Sequence, residues 1–261
     1  MVIIDKEKCT GCGRCVSDCS KLKITLEKGK AAVKEECFQC GHCVAICPEG
    51  AVSIPEYDME DVEEYDRESF CLSPENVLHS IKFRRSIREY KSQAVKREDL
   101  ELLVQAGRYT ATAINLQSSG FVFVQEELPE LKRRVWDYID RIEKSGSGEE
   151  KYQSYLSFNQ RRKANPNDDY LFRNAPVVLF ITSDRILDAG MAAQNIENMA
   201  VSMGLGALYN GYLAGIAEEN KELKKWLGIE ERAIKACMLI GYPSRQYVRT
   251  APRKKAHVIW R

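Results

Sequence analysis

From residue 73 onward the apolar positions of this chain alternate between helical and strand spacing. Ser73-Pro74-Glu75 opens a helix, with a capping hydroxyl ahead of a proline at the first helical position, and Val77, Leu78 and Ile81 continue its apolar stripe. Leu100, Leu103, Val104 and Gly107 keep helical spacing, then Gly120-Phe121-Val122-Phe123-Val124 reads as a strand. Leu131, Val135, Tyr138 and Ile142 mark a second long helix. The stretch from Lys144 to Asp169 is too long and too polar for a simple connection, and predicts a lid or a partly helical excursion. Val177-Val178-Leu179-Phe180-Ile181 predicts a strand, Ala192, Ile196, Met199, Ala200 and Met203 one face of a helix, and Ala233 to Ile240 a closing strand. Helices alternating with strands imply an α/β or α+β layer. No Gly-x-Gly-x-x-Gly opens a strand–helix unit, so a dinucleotide-binding doubly wound sheet has no support.

Ahead of residue 73 the pattern changes. Lys23-Ile24-Thr25-Leu26 and Ala31-Ala32-Val33 flank Glu27-Lys28-Gly29-Lys30, a hairpin with its turn near Lys28-Gly29. Residues 56–68 hold eight acids against one base, which marks a solvated linker or, alternatively, a docking surface for a basic partner. The expected division is a small domain over 1–55, an acidic linker over 56–72 and a larger domain over 73–261. A chain of 261 residues is long enough for both. Its 39 basic and 38 acidic residues balance, which gives no reason to expect nucleic acid as a partner. No apolar run approaches the roughly eighteen residues of a membrane span, and no signal-like segment begins the chain. The expectation is a soluble protein of a reducing compartment, the cytoplasm, with no membrane partner.

Eight of the ten cysteines change the picture most. Cys9, Cys12, Cys15 and Cys19 form one run, and Cys37, Cys40, Cys43 and Cys47 a second. Each has the spacing C-x2-C-x2-C-x3-C, and Pro48 follows the second. Three close cysteines at this spacing can hold an iron–sulfur cubane while the fourth reaches a neighbouring cluster. A disulfide scaffold or zinc site does not call for two identical triplet spacings. Some 55 residues bury little core, so the clusters must substitute for it. Cys237, within Ala236-Cys237-Met238-Leu239-Ile240, reads as a small buried residue, whereas Cys71 falls in the junction. His42, between Cys40 and Cys43, reads as a surface or supporting group, since the thiolates already complete the ligand set.

The strongest polar feature of the larger domain is Arg84-Arg85-Ser86-Ile87-Arg88, where three guanidiniums and a hydroxyl can clamp a phosphate. Taken alone, such a run is more often a solvated face. A second basic segment shifts that balance: Arg245, Arg249, Arg253, Lys254, Lys255 and Arg261 occur with no acid between them, and two basic segments converging on one anion would explain both.

These residues also carry resemblances. Residues 1–55 resemble a bacterial two-cluster [4Fe-4S] ferredoxin, with Ser20 in place of the usual proline after Cys19. That resemblance implies one cluster on Cys9, Cys12, Cys15 and Cys47, and the other on Cys37, Cys40, Cys43 and Cys19. Residues 75–255 resemble the nitroreductase family. The resemblance rests on Arg84-Arg85-Ser86-Ile87-Arg88-Glu89-Tyr90, Thr110-Ala111-Thr112-Ala113-Ile114-Asn115-Leu116-Gln117 and Ala193-Gln194-Asn195. Gly204-Leu205-Gly206, Gly241-Tyr242-Pro243 and Pro252-Arg253-Lys254 then follow in the family's order.

The resemblance implies an α+β fold, a mixed or antiparallel sheet wrapped by helices, preceded by the small ferredoxin-like domain, and a homodimer binding FMN. It places Arg84, Arg85, Ser86 and Arg88 on the phosphate, ribityl chain or ring edge, with Asn115 and Gln117 at the isoalloxazine. Tyr209, Asn210 and Gly211 would pass close to the ring, and Arg253 and Lys254 would complete the phosphate clamp. Ala111, Thr112 and Ser118 depart from the family pattern, which leaves that pocket wall smaller and more polar.

The implied protein is an FMN-dependent oxidoreductase of an anaerobe. It would take low-potential electrons from an external ferredoxin or similar carrier through two [4Fe-4S] clusters. The acceptor would be a small planar molecule: a nitroaromatic, a quinone or an activated double bond. Tyr152, Tyr155, Phe158, Tyr170 and Phe172 either line that site or pack the insertion against the body. No side chain is required as a catalytic nucleophile, and His42, His79 and His257 form no recognisable triad. Two alternatives stay open: an enzyme that oxidises a substrate or NAD(P)H and exports electrons through the clusters, and a non-enzymatic redox sensor or carrier.

Overall fold

A computed structural model describes residues 1–35, 37–146 and 148–261. The chain forms two compact units, one of Met1–Cys71 with Thr112–Gln117, the other of Leu72–Ala111 with Ser118–Arg261. The first contains β1 (Ile3–Ile4), α1 (Arg14–Asp18), β2 (Ile24–Glu27), β3 (Lys30–Val33), α2 (His42–Ala45), β4 (Val52–Ser53) and α3 (Arg67–Phe70). Strand β1 pairs antiparallel with β4, and β2 with β3. Glu27 faces Lys30 across the hairpin, leaving Lys28 at φ 48° and Gly29 at φ 78° as its two turn residues, as the sequence predicts. Two successive left-handed residues give a turn whose twist matches that of the strands. Buried Val2, Ile24, Ala31, Val52 and Ile54 pack with Cys9, Cys15 and Cys43, so thiols make up part of this core.

The second unit contains α4 (Pro74–Phe83), α5 (Arg97–Arg108), β5 (Gly120–Val124), α6 (Leu128–Ser145), α7 (Gln153–Ala164), β6 (Val177–Thr182), α8 (Ile186–Ser202), β7 (Gly206–Tyr209), α9 (Gly211–Glu219), α10 (Lys221–Trp226) and β8 (Ile234–Gly241). Ser73 caps α4 by accepting from the Asn76 amide, as its sequence signature predicts. The sheet has the order β5-β6-β8-β7, with every neighbouring pair antiparallel. Strand β6 is buried along its whole length. Its alternate residues point to opposite faces. Val178 and Phe180 meet Leu131, Val135 and Ile139 of α6 and Leu213 and Ile216 of α9. Val177, Leu179 and Ile181 meet Leu100 and Leu103 of α5 and Ala189, Ala193 and Ile196 of α8. Burial on both faces is why this strand reads as an unbroken apolar run. The fold is thus α+β, an antiparallel sheet wrapped by helices, as expected.

The polar insertion is largely helix α7, and it is packed down. Tyr155, Phe158 and Phe172 are buried in the core. Fully buried Asn159 donates to Asp140 Oδ1 at 2.7 Å and to Glu143 Oε2 at 3.0 Å. Arg162 Nη2 donates to both Asp140 oxygens at 3.1 Å. Helix α4 is the opposite case. None of its residues is buried, and Val77, Leu78 and Ile81 stay exposed. Among the described residues no helix is long and apolar enough to cross a membrane.

Candidate functional site

In the first unit the two cysteine runs surround two cavities. Cys9, Cys12, Cys15 and Cys47 line one, and Cys19, Cys37, Cys40 and Cys43 line the other. The fourth cysteine of each run therefore lies with the first three of the other. Backbone amides aim at the sulfurs in matching pairs. Ala31 N–H reaches Cys9 Sγ at 3.4 Å and Ala51 N–H reaches Cys47 Sγ at 3.3 Å. Lys23 N–H reaches Cys19 Sγ and Gln39 N–H reaches Cys37 Sγ, each at 3.4 Å. Gly11, at φ 74°, is held so close to the hairpin that a Cβ there would stand 1.9 Å from the Gly29 carbonyl oxygen.

The amides favour thiolate. The Ala31 N–H, followed by that of Gly11, holds the Cys9 thiol below its ordinary range, with Lys30 and Lys6 adding to the effect. Burial acts the other way deeper in the cage: it raises Cys15, and it pushes Cys43 up to about 11. Buried thiols of this kind would ligate as thiolates, each giving its proton up to solvent as the metal binds in its place. Four sulfurs around a cavity, each set backed by two amide donors, suit a four-thiolate cluster. Among the described residues no three His, Cys, Asp or Glu side chains converge to hold a single metal ion. His42 lines the second cavity, yet its exposed ring pairs with Asp18 at 3.2 Å.

In the second unit the chain leaves α4 at Arg84 and runs beside β7, with Ile87 N–H donating to the Ala207 carbonyl at 3.0 Å. Buried Tyr90 anchors that run through its hydroxyl, which donates to the carbonyls of Ile87 and Leu239. Lys82, Arg84, Gln194, Asn198, Thr250 and Arg253 line an open cavity. The two basic segments of the sequence thus converge through Arg84 and Arg253. Arg84 Nη1 pairs with Glu197 Oε1 at 3.1 Å. Arg85 Nη1 donates to the carbonyls of Arg84 and Lys82 at 2.6 and 3.0 Å. Its buried Nη2 finds no hydrogen-bond partner among the described residues. An unmet buried donor costs about 1–3 kcal/mol. Three cations, two amides and a hydroxyl line this space, a donor set that fits a phosphate-bearing ligand.

The other sequence-predicted residues are distributed as follows. Ser86 is half-buried beside Ala207, while Arg88 and Lys254 are exposed. Tyr209 ends β7, and its phenol is raised by burial, with Glu197 adding and Arg84 opposing. Asn210 is buried and caps α9: its Oδ1 accepts from the Leu213 amide at 3.0 Å and its Nδ2 donates to the Leu171 carbonyl at 2.7 Å. Gly211, at the start of α9, is exposed, as is Tyr209 before the buried asparagine. Asn115 and Gln117 belong to the first unit, in a segment where both have positive φ. Asn115 Nδ2 donates to the Gln39 carbonyl at 2.9 Å and to the Tyr57 hydroxyl at 3.3 Å. Gln117 N–H donates to Thr112 Oγ1 at 3.0 Å. Sequence reasoning missed Glu197, although a lone acid inside the Ala- and Met-rich stripe of α8 was a visible signal.

Residues 81–242 match the model of the nitroreductase family, and residues 1–48 match that of a 4Fe-4S dicluster domain. The chain is 27% identical over 185 residues to the NADPH-flavin oxidoreductase of Vibrio harveyi, covering 70% of this chain and 72% of that one. It is 26% identical over 178 residues to the FMN reductase (NADPH) of Bacillus subtilis, covering 65% and 66%. A nitroreductase with bound FMN from Bacteroides fragilis shares the fold at a TM-score of 0.56 and 21% identity, over 70% of this chain and 97% of that one. A second, from Desulfitobacterium hafniense, does so at 0.53 and 23%, over 70% and 97%. With the family match spanning more than half its length, the chain belongs to the nitroreductase family and carries a 4Fe-4S dicluster domain ahead of the nitroreductase fold.

Proposed function

We propose that this nitroreductase-like oxidoreductase is an FMN-dependent reductase that receives low-potential electrons through two [4Fe-4S] clusters and passes them to a small planar acceptor. The acceptor class is a nitroaromatic, a quinone or an activated double bond. One observation carries the reading: a cationic cavity fit for a phosphate occurs in the same polypeptide as two four-cysteine cavities. Bound clusters supply single-electron exchange, and bound FMN supplies exchange of one electron or two, which is what makes the pairing useful.

The chain's own residues bind and orient. Cys9, Cys12, Cys15 and Cys47 hold one cluster, and Cys19, Cys37, Cys40 and Cys43 the other. Arg84, Arg85 and Arg253, with Lys254, neutralise the phosphate. Ser86 and Arg88 hydrogen-bond to the ribityl chain or ring edge. The backbone of Tyr209, Asn210 and Gly211 lets the ring approach closely. The donor is an external ferredoxin or similar carrier in the cytoplasm. A homodimer is supported by the uncovered apolar stripe of α4 and by exposed Tyr247, Val248, Ile259 and Trp260, since large uncovered apolar surface marks an interaction site.

The test is anaerobic. Metal and flavin analysis is expected to return about eight iron, eight sulfide and one FMN per chain. Rapid mixing with reduced ferredoxin should bleach the flavin quickly, and mixing with NADPH slowly. The second reading, oxidation of NAD(P)H with export of electrons through the clusters, is favoured by relatives named for NADPH. Fast bleaching by NADPH with slow bleaching by ferredoxin selects it instead.

A further inference from the structure

We infer that Glu197 is a positioning residue for phosphate recognition, a carboxylate behind the wall of the Arg84–Arg253 cavity that sets the direction of the donors within it. The inference rests on the flavin reading above and adds to it a residue that the site's sequence signature does not contain.

Glu197 is only 1% exposed, on a helix whose neighbouring residues Ile196 and Ala200 are fully buried. A carboxylate in such a place is costly unless its oxygens are met. Both are. Oε1 accepts from Arg84 Nη1 at 3.1 Å, and Oε2 accepts from Gln194 Nε2 at 3.1 Å. Gln194 Nε2 also donates to Asn198 Oδ1 at 3.1 Å. Arg84, Gln194 and Asn198 all line the cavity, whereas Glu197 does not. One buried anion therefore ties together polar groups from two separate elements, the end of α4 and the middle of α8.

A buried ion pair is weak evidence for stability, because well-packed apolar residues often do as well in its place. What it does enforce here is direction. The five N–H donors of a guanidinium lie in one rigid plane. Fixing Nη1 on Glu197 fixes where the others point before any ligand arrives. The charge also fits. Lys82, Arg84 and Arg253 against Glu197 leave the site at +2, which suits a phosphate monoester carrying about −1.5 to −2 at neutral pH. The ligand class is accordingly a phosphate monoester, and the ring it carries is recognised elsewhere.

The experiment compares FMN with riboflavin, which lacks the phosphate, on the full anaerobic chain stripped of flavin. Dissociation constants are read by flavin fluorescence for the wild type, Glu197→Leu and Glu197→Gln. Glu197→Leu is expected to weaken FMN by about tenfold or more while riboflavin moves by less than about threefold. Glu197→Gln, which still offers an oxygen to Arg84, should stay within about threefold of the wild type for both ligands.

Equal FMN affinity in the leucine variant and the wild type overturns the inference alone, as does an equal loss of FMN and riboflavin. A wild-type chain that binds neither ligand overturns the flavin reading itself. Should the leucine variant fail to fold, Glu197→Met carries the same test, because an unbranched thioether fills similar space and offers Arg84 no oxygen. Selective loss of FMN supports the assignment, and unchanged FMN affinity sinks it.

Discussion

The two units of this chain solve the problem of a core in opposite ways. The larger one buries β6 on both faces, with Phe180, Leu131 and Leu213 withdrawn from solvent and apolar side chains filling the space between sheet and helices. The smaller one has a thinner apolar set around Ile54 and Val52, and two cavities lined by cysteine sulfurs beside it. Apolar burial is the main stabilising contribution in the first. The second buries less of it, and on the proposed reading the clusters would supply part of its stability. Stability in one unit should follow packing, and in the other cofactor content.

The sharpest way to break that comparison is to remove the iron. Chelation under anaerobic conditions should strip hydrogen-exchange protection from residues 1–55 while the amides of β6 and β8 stay protected. Retained protection in the small unit would mean that its apolar residues suffice. A more local version is Gly11→Ala. The added methyl meets the Gly29 carbonyl and must sit at positive φ, so the first cage should lose its cluster and iron should fall to about half. A full complement of iron would show that this contact relaxes.

On the other side, Phe180→Ala should cost the larger unit about 3–5 kcal/mol through lost burial and an unfilled cavity. Denaturant unfolding followed by tryptophan fluorescence reads this, and the visible absorbance of the clusters should not follow it. The smallest effect concerns the insertion. Burial alone would raise the Asp140 carboxyl, but hydrogen bonds from Asn159 and Arg162, with the charges of Arg162 and Lys163, outweigh it and hold it below the usual carboxylate range. A carboxyl depressed on folding contributes stability above its unfolded value and loses it as pH falls through the folded one. Exchange protection of α7 should therefore be constant above about pH 4 and decline below it. Asp140→Asn should flatten that decline, and an unchanged acid slope would show that Asp140 contributes nothing to it.

Much of this was legible in the order of residues. Ser73-Pro74 marked the start of α4 and Lys28-Gly29 the hairpin turn, because each depends on contacts within a few residues, while the run from Val177 to Ile181 marked β6 through its unbroken apolar composition. Strand β7 was not read as a strand: Gly206 to Tyr209 is short and interrupted by small residues, and it exists because β8 lies ready to pair with it. Helices α9 and α10 escaped for a related reason, their asparagine caps lying among glycines and polar residues that read equally well as loop.

The sequence by itself determined which side chains can ligate: eight cysteines at repeating intervals, and arginines massed in two segments. Local spacing is set by covalent geometry, so it survives any folding. Only the tertiary structure decided that Asn115 reaches the Gln39 carbonyl and that Glu197 stands behind Arg84. Those partnerships join positions far apart in the chain. They are selected by what each burial leaves unsatisfied, a quantity that exists only once the chain has folded.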